Sequence, residues 1–450
     1  MSSNVDNRAG GLAPEPFLCM RRGMMAPGAD EQSKRPKLLI VGCGPAGLAV
    51  ARYVSEEFVV TIVEPKDYYE FTPGILRGFA DPAQLPSLQV SLERVFHDFP
   101  VKHIRGEVTR LLESTAEVRV CPADSSTEAS SMETMSIDFD FVVVAAGSQY
   151  AGSGLWKVTG APGEGELTTL AGRLETFRSK YDELQSLQDS GGTCILVGAG
   201  LVGVELAAEL AHHMPGLKIT LASRTDCILP AMPVAARDYA RKWLVDHGVQ
   251  LRLEQPLERG NEAESLGISG PCIVYGCAGV RMRNDFMKEL NCLDESGAIR
   301  VNHAMQVVMN TAPAEVVETL GLDRAVLCAG GRIFALGDCV SLQHASAALS
   351  REVYPAEAAA EVVVKNLRIA KTVPCLKTCL PNTLAQLREP LNAFIICSLG
   401  PKDGVMVGNG SVWFTGWTAA VAKAQIESTK MSQYRNETWG NLVWGLVPHW

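Results

Sequence analysis

The same glycine-rich design occurs twice in this chain, and this repeat constrains the fold more than any other feature. The first copy covers 37–47 (KLLIVGCGPAG) and the second covers 193–203 (TCILVGAGLVG). In each copy an apolar, strand-like run enters G-x-G-x-x-G and continues into a stretch with helical character. One such motif is weak evidence, but two in the same strand–turn–helix context strongly predict two dinucleotide-binding units.

The spacing of the three glycines has a physical reason in each copy. The first glycine permits a tight turn, the second lets the backbone approach a pyrophosphate, and the third lets helix and strand pack closely. The positive end of the following helix then faces the phosphate charge. The two turns supply the predicted cofactor-binding residues Gly42, Cys43, Gly44, Pro45, Ala46 and Gly47, then Gly198, Gly200 and Gly203.

The residues that end the next strand of each copy distinguish the two predicted nucleotides. In the first copy the strand 59–63 ends at Glu64, whose carboxylate can accept both hydroxyls of an unphosphorylated ribose. In the second copy the strand 218–222 ends at Ser223 and Arg224, without an acid. A guanidinium there can pair with a 2′-phosphate, so NADPH is expected to serve at least as well as NADH. The alternative is that Arg224 points to solvent.

Composition limits the function classes. The 450 residues are 47% hydrophobic and 20% charged, which is enough for large buried cores. The net charge of −9 argues against a nucleic-acid partner. Thirteen scattered cysteines favour a reducing intracellular compartment, cytoplasmic or mitochondrial. Residues 1–35 lack periodicity and are predicted to form a disordered tail, with a weak organellar leader as the alternative.

Two further motifs complete a recognisable set. They are 141–148 (FVVVAAGS) and 333–339 (IFALGDC). With both glycine motifs, this order resembles the two-dinucleotide-binding-domain flavoproteins of the pyridine nucleotide-disulfide oxidoreductase superfamily, over roughly 36–370. The resemblance implies FAD as cofactor and NAD(P)H as cosubstrate. It places Gly337 and Asp338 against the FAD ribitol and pyrophosphate, and Ala146 and Gly147 where the chain returns to the FAD domain.

The implied fold is α/β, with two Rossmann-like FAD/NAD(P)-binding domains, the first discontinuous, plus a C-terminal α/β domain. The expected boundaries are 36–160 and 321–370 for the FAD domain, 161–320 for the NAD(P)H domain and 371–450 for the C-terminal domain. A polar insert, 121–138, is expected to be a hairpin loop between strands around 107–120 and 139–146. Further expected elements are a helix over 168–188, strands over 391–398 and 404–407, and helices over 419–428 and 436–446.

Two branches of this superfamily share motifs with the chain. The runs 67–73, 198–206 and 277–281 look like type II NADH:quinone oxidoreductases, whereas 74–77 and 398–405 look like the apoptosis-inducing-factor-like flavoproteins, which include the ferroptosis suppressor, an NAD(P)H:quinone reductase. Type II enzymes carry a quinone-pocket Ala-Gln-x-x-x-Gln. Here the segment 356–361 reads AEAAAE, with both Gln replaced, which favours the ferroptosis-suppressor-like branch.

The resemblance implies that hydride passes from a nicotinamide to the flavin and that electrons leave to a quinone. Related enzymes place a glutamate beside nicotinamide and flavin at the position of Glu205, expected on the first turn of its helix. The alternative for Glu205 is a solvated acid that complements the helix dipole. The second predicted catalytic residue is Lys430. The remaining predicted cofactor-binding residues are Lys66, Arg77, Val108 and Gly279, and Arg77 is preferred over Lys66 for a flavin contact.

Cysteine placement separates the chain from disulfide reductases. Those enzymes carry a redox cysteine pair in the helix after the first glycine motif, and here 48–54 contains none. The pairs Cys272/Cys277 and Cys375/Cys379 are expected to be buried or incidental thiols. Cys339 lies close in sequence to the flavin motif but has no evident partner. No histidine–cysteine cluster has metal-site spacing, so no metal is predicted.

Tryptophan is concentrated near the C-terminus. Five of the seven lie at 413, 417, 439, 444 and 450. Tryptophan favours positions that are apolar at one end and wet at the other, so the tail is predicted to lie in a membrane interface without crossing it. The alternative is docking on the protein's own core or on a dimer partner.

Two other functions are open for the whole chain. They are a DNA-engaging signalling flavoprotein and a reductase of a protein carrier such as a ferredoxin.

Overall fold

The computed structural model describes residues 35–121, 133–150, 155–160, 164–309, 327–342, 353–373, 384–387 and 394–446. Strands and helices within these ranges are numbered here in chain order. The predicted disordered tail and the cysteines at 375 and 379 lie outside the described residues.

The first sheet contains seven strands in the order β16-β8-β1-β2-β5-β6-β7. They are β1 Lys37–Val41, β2 Val59–Glu64, β5 Val101–Leu111, β6 Thr115–Val120, β7 Thr134–Asp138, β8 Phe141–Val144 and β16 Ile333–Ala335. Strands β16, β8, β1, β2 and β5 run parallel, whereas β6 and β7 extend the sheet as an antiparallel meander. Because β16 follows the second glycine motif in sequence yet pairs with β8, this unit is built from two separate stretches of chain.

The second sheet has four parallel strands in the order β12-β11-β10-β13. They are β10 Thr193–Val197, β11 Lys218–Ala222, β12 Gln250–Arg252 and β13 Cys272–Gly276. Both glycine motifs therefore leave a central strand of a parallel sheet. The carboxyl ends of such strands are where α/β proteins bind nucleotides.

Smaller sheets accompany these two units. Pairs form between β3 Tyr68–Glu70 and β4 Gln89–Ser91, β9 Gln149–Tyr150 and β14 Val280–Arg281, and β15 Ile299–Val301 and β17 Val340–Leu342. The C-terminal sheet is antiparallel: β18 Phe394–Ser398, β19 Gly404–Gly408 and β20 Ser411–Thr415. The C-terminal region is thus an antiparallel β-meander followed by helices, and the strands expected over 391–398 and 404–407 correspond to β18 and β19.

The α-helices connect and cover the sheets. They are α1 Pro45–Val54, α2 Ile75–Ala80, α3 Leu92–Phe96, α4 Leu170–Asp189, α5 Leu201–His213, α6 Val234–Asp246, α7 Glu262–Ser265, α8 Val353–Ala370, α9 Trp417–Tyr434 and α10 Thr438–Leu446. Among the described residues, none of these helices combines the length and the apolar character needed to cross a bilayer.

Two local expectations were wrong. The stretch 107–120 is not one strand, because β5 and β6 fold into a hairpin around Leu112. Part of the polar insert is also a strand: β7 pairs with β6 and alternates between exposed and half-buried residues. An edge strand of this kind has no strong apolar signal, since neither face is fully buried. Residues 122–132 of the insert lie outside the described part of the chain.

Candidate functional site

The first glycine turn is closed at two of its glycines and open at the third. Gly42 has φ +98°, and a Cβ there would lie 2.4 Å from the carbonyl oxygen of Ala145. A Cβ on Gly47 would lie 2.1 Å from the carbonyl oxygen of Gly42. Gly44, in contrast, has nothing within 4 Å of its Cβ direction. The protein's own packing therefore requires the outer glycines, whereas the middle one leaves the turn accessible from outside.

The second turn repeats this arrangement. Gly198 has φ +117°, and a Cβ there would lie 2.5 Å from the Cβ of Ala278. A Cβ on Gly203 would lie 1.9 Å from the carbonyl oxygen of Gly198, and Gly200 again faces open space. An open backbone turn at a helix N-terminus fits a dinucleotide pyrophosphate. The residues present thus fit two dinucleotides, one at each turn.

Glu64 lies at the end of β2, beside the first turn. Its carboxylate is buried and accepts a hydrogen bond from the backbone N–H of Cys43 at 2.7 Å. It also accepts from the backbone N–H of Lys66 at 3.2 Å, and the Lys66 ammonium lies 3.8 Å away. These contacts hold the carboxylate at the edge of the turn, where the sequence predicted a group that accepts ribose hydroxyls.

Asp338 joins the same turn from a distant part of the sequence. Its carboxylate accepts hydrogen bonds from the Ser148 hydroxyl at 3.0 Å and from the Lys157 ammonium at 2.7 Å. A Cβ on Gly337 would lie 3.7 Å from the Cβ of Ala46, which is in the first turn of α1. We refer to the turn at 42–47, together with Glu64 and Asp338, as the first cradle.

Further residues of the predicted set lie on elements of the first sheet or next to them. Pro45 opens α1, and Gly147 adopts φ +71° directly after β8 and Ala146. Val108 is buried within β5, which pairs in parallel with β2. It lies three residues beyond Arg105, the residue of β5 that pairs with Glu64. Ser148 and Lys157 were not predicted. Ser148 stands inside a quoted motif, but Lys157 lies in a stretch with no pattern that indicates a site.

The second cradle, 198–203, has Ser223 and Arg224 at the end of the adjacent strand β11. Ser223 is buried, and its hydroxyl lies 2.8 Å from that of Thr225. Arg224 is exposed and has no partner among the described residues. Gly279, with φ +86°, follows β13 on the other side of this cradle. An exposed guanidinium next to a turn that is open at Gly200 is available to a nucleotide.

Glu205 is buried, and the alternative of a solvated acid is therefore wrong. It lies on the second turn of α5 rather than on the first, because the helix begins at Leu201. One carboxylate oxygen accepts from the Ser398 N–H at 2.8 Å, the Ser398 hydroxyl at 2.9 Å and the Lys423 ammonium at 2.5 Å. Lys423 was missed, although it precedes Lys430 by seven residues, the spacing that puts two side chains on one helix face.

Lys430 is also buried, but its partner is a different acid. Its ammonium lies 2.7 Å from both carboxylate oxygens of Glu357 and 3.6 Å from the ring centre of Trp444. The Tyr434 hydroxyl donates to the same carboxylate at 3.2 Å. Burial lowers the pKa of Lys430, and the adjacent Glu357 opposes that shift. Glu357 occupies the first Gln position of the quinone-pocket pattern described above.

The two predicted catalytic residues are therefore not paired with each other. Lys423 and Lys430 lie on α9 about two helical turns, or roughly 10 Å, apart. Between them, Glu427 accepts a hydrogen bond from the Arg77 guanidinium at 3.1 Å, and Glu209 lies 3.7 Å from the same group. Arg77 thus contacts two carboxylates of the protein itself, and its expected contact with the flavin stays a prediction.

The cysteines close to the first cradle are poor nucleophiles in this arrangement. Burial raises the pKa of Cys43 well above its ordinary value and that of Cys339 to about 11. Cys272 begins β13 and Cys277 follows its end, so the two sit at opposite ends of one strand. Within the described ranges no cysteine forms a disulfide, and no three metal-ligating side chains cluster.

The aromatic residues of the C-terminal region divide into two groups. Trp413, Phe414 and Trp417 are exposed near the end of the meander, and Trp439 is 64% exposed on α10. Trp444 instead packs on Lys430. Helix α10 is therefore docked on the protein at Trp444 and presents Trp439 to its surroundings. Trp450 lies outside the described residues.

Several known proteins are similar in sequence to this chain, and the part of the chain that each similarity covers differs. The NADH dehydrogenase-like protein YutJ of Bacillus subtilis is 30% identical over 216 residues, covering 47% of this chain and about half (53%) of that protein. A type II NADH:quinone oxidoreductase of Staphylococcus epidermidis is 23% identical, covering 88% of this chain and 94% of its own length. The apoptosis-inducing factor homolog A of Dictyostelium discoideum is 22% identical, covering 87% and 89%.

The fold also matches known structures. The structure of NDH2 from Plasmodium falciparum in complex with NADH superposes with a TM-score of 0.65 at 11% identity, covering 93% of this chain and all of that one. This likeness confirms an α/β fold with parallel sheets of the two-dinucleotide type. The family model for pyridine nucleotide-disulphide oxidoreductases matches residues 36–314, which include both glycine turns, Glu64 and the helix that carries Glu205. On this evidence the chain belongs to the pyridine nucleotide-disulphide oxidoreductase family.

Proposed function

We propose that the chain is an FAD-dependent oxidoreductase that takes hydride from NAD(P)H and passes the electrons to a quinone. The observation that carries this proposal is the matched geometry of the two glycine turns. In both, the outer glycines are required by internal packing and the middle glycine, Gly44 or Gly200, is open. Two accessible turns of this kind support two dinucleotides bound to one chain.

The residues of the first cradle would hold FAD. Glu64 offers carboxylate oxygens to ribose hydroxyls, and the N-terminus of α1 faces the pyrophosphate. Gly337, the residue before Asp338, lies beside Ala46, so that the Asp338 carboxylate is available to the remaining polar part of the cofactor. When bound, FAD supplies a two-electron carrier that accepts hydride and gives up electrons to a second substrate.

The second cradle would hold the nicotinamide dinucleotide. Strands β9 and β14 pair across the two nucleotide units, with Tyr150 opposite Val280. This pairing limits how far one cradle can move from the other, which favours a defined separation of the two dinucleotides. Glu205 is held by Ser398 and Lys423, and this contact fixes α5, the helix that begins at the second cradle, against the C-terminal sheet.

Reduction of a quinone consumes two protons as well as two electrons, and buried ammonium groups on α9 are candidates to hold one. Lys430 carries a proton on Nζ between Glu357 and Trp444. Because burial lowers its pKa, this ammonium gives up a proton more readily than one in water. The likeness to type II NADH:quinone oxidoreductases along 88% of the chain supports a quinone as the acceptor.

A reductive titration tests the cofactor and the absence of an active disulfide together. We expect the purified protein to be yellow and to release FAD on denaturation, since the groups of the first cradle offer hydrogen bonds and charge to the cofactor rather than a covalent bond. Under anaerobic conditions each flavin should take up two electrons, and a short-chain quinone should then reoxidise it faster than a ferredoxin does. Stable uptake of four electrons, or reoxidation by the protein acceptor alone, would contradict the proposal.

The residues Ser223 and Arg224 predict the preferred nicotinamide. A charged hydrogen bond to the 2′-phosphate contributes roughly 1.5–3 kcal/mol, or about ten- to a hundredfold in specificity. We expect kcat/KM for NADPH to equal or exceed that for NADH, and Arg224→Ala to lower the NADPH value about tenfold or more. Ser223→Glu should shift preference towards NADH. Arg241→Ala removes an arginine from α6 and serves as the control; an unchanged nucleotide ratio in Arg224→Ala would refute the phosphate contact.

The exposed tryptophans predict a monotopic association with membranes. Deleting α10 is a poor test, because Asn441 bonds to Arg52 and Trp444 covers Lys430. We expect the double variant Trp417→Ser, Trp439→Ser to bind zwitterionic phospholipid vesicles about tenfold or more weakly, since two large apolar surfaces are lost. Turnover with long-tailed quinones should fall more than turnover with short ones.

A matched control for this variant is Val234→Ser, which removes an equally exposed apolar side chain (61%) from α6. It should leave vesicle binding unchanged. If the tryptophan variant sediments with vesicles as well as the wild type does, the C-terminal aromatic surface does not contact membrane.

A further inference from the structure

Lys157 lies at the mouth of the first cradle, and nothing in the motifs assigns it a role. Its ammonium is 2.7 Å from the Asp338 carboxylate and 3.5 Å from the Ser148 hydroxyl. A Cβ on Gly147 would lie 3.2 Å from the same ammonium, which therefore sits directly above the turn that follows β8. The side chain is 24% exposed, so its charge is partly removed from water.

The residue before it fixes this position. Trp156 is 1% exposed, and its indole N–H donates to the backbone carbonyl of Gly276 at 2.7 Å. Its ring packs against Phe79 and Tyr275. Gly276 ends β13, next to the second cradle. The adjacent side chains 156 and 157 thus reach in two directions, one into the second nucleotide unit and one to Asp338 of the first.

The charges at the first cradle explain why a cation is needed there. Asp338 is an acid that directly follows Gly337, which lies beside Ala46 in the first turn of α1. The N-terminus of such a helix is the place where a dinucleotide pyrophosphate binds. A carboxylate and a pyrophosphate repel each other at short range, and the partial positive charge of a helix N-terminus is only about half an elementary charge. An ammonium within hydrogen-bond distance of Asp338 reduces that repulsion.

We propose that Lys157 is a cofactor-binding residue of the first cradle, where its ammonium neutralises Asp338 and attracts the anionic pyrophosphate of the flavin dinucleotide. This inference rests on the proposed function, which places FAD in that cradle. Trp156 is the positioning residue that holds Lys157 there by its contact with the second nucleotide unit.

The test measures FAD affinity of the full chain rather than activity. FAD is removed, and the apoprotein is titrated with FAD while flavin fluorescence is followed. Lys157→Met should raise the dissociation constant about ten- to a hundredfold, the effect of losing one charged contact. Lys157→Arg keeps the charge and should restore most of the affinity. Lys180→Met removes a lysine paired with Glu183 on the surface of α4 and should change nothing.

Salt dependence separates a charge effect from a structural one. Potassium chloride should weaken FAD binding to the wild type and to Lys157→Arg, and weaken it much less in Lys157→Met, because the screened contact is gone. Unchanged affinity in Lys157→Met would overturn the inference, and so would weaker binding with the salt dependence intact. If the wild type itself binds no FAD, the proposed function fails instead, so the two failures are distinguishable.

Discussion

Three ionic contacts of one helix, α9, two of them buried and one half-buried, hold the parts of this protein together. Side chains on successive turns of that helix reach three different segments of the chain: Lys423 pairs with Glu205, Glu427 with Arg77, and Lys430 with Glu357. Loss of one member of a buried pair leaves an uncompensated charge, which costs about 3–5 kcal/mol. The relative placement of the two nucleotide units and the C-terminal meander therefore depends on α9.

This dependence connects the fold to the chemistry. The glycine turns require only local packing, since Gly42 and Gly198 each lie against the backbone that follows a neighbouring strand. Hydride transfer needs more, because two bound dinucleotides must meet at a defined distance. The Glu205–Lys423 contact links the helix of the second cradle to α9, and the Lys430–Glu357 contact links α9 to α8 and the first unit. Both cradles are thus connected to the same helix, α9.

The sequence predicts those parts of the site that depend on neighbours along the chain. The glycine spacing, and Glu64 at the end of β2, follow from the strand–turn–helix unit and lie where predicted. The partners of Glu205 and Asp338 could not be predicted, because Lys423 and Lys157 reach them only through tertiary folding. The spacing of Lys423, Glu427 and Lys430 was the one available signal, since charges at these intervals share a helix face. In the C-terminal meander β18 and β19 lie where strands were predicted, whereas β20 was not predicted, because it is an exposed edge strand.

The most direct test of this account is the rate at which NADPH reduces the bound flavin in a single anaerobic turnover. If the contact of Glu205 with Lys423 aligns the cradles, the variant Lys423→Met should retain FAD. NADPH should then reduce this FAD at least about tenfold more slowly than in the wild type, because the reacting groups are displaced. Lys242→Met, which breaks an exposed pair with Asp246, is the matched control. Flavin reduction at the wild-type rate in FAD-loaded Lys423→Met would contradict the claim that α9 positions the two dinucleotides.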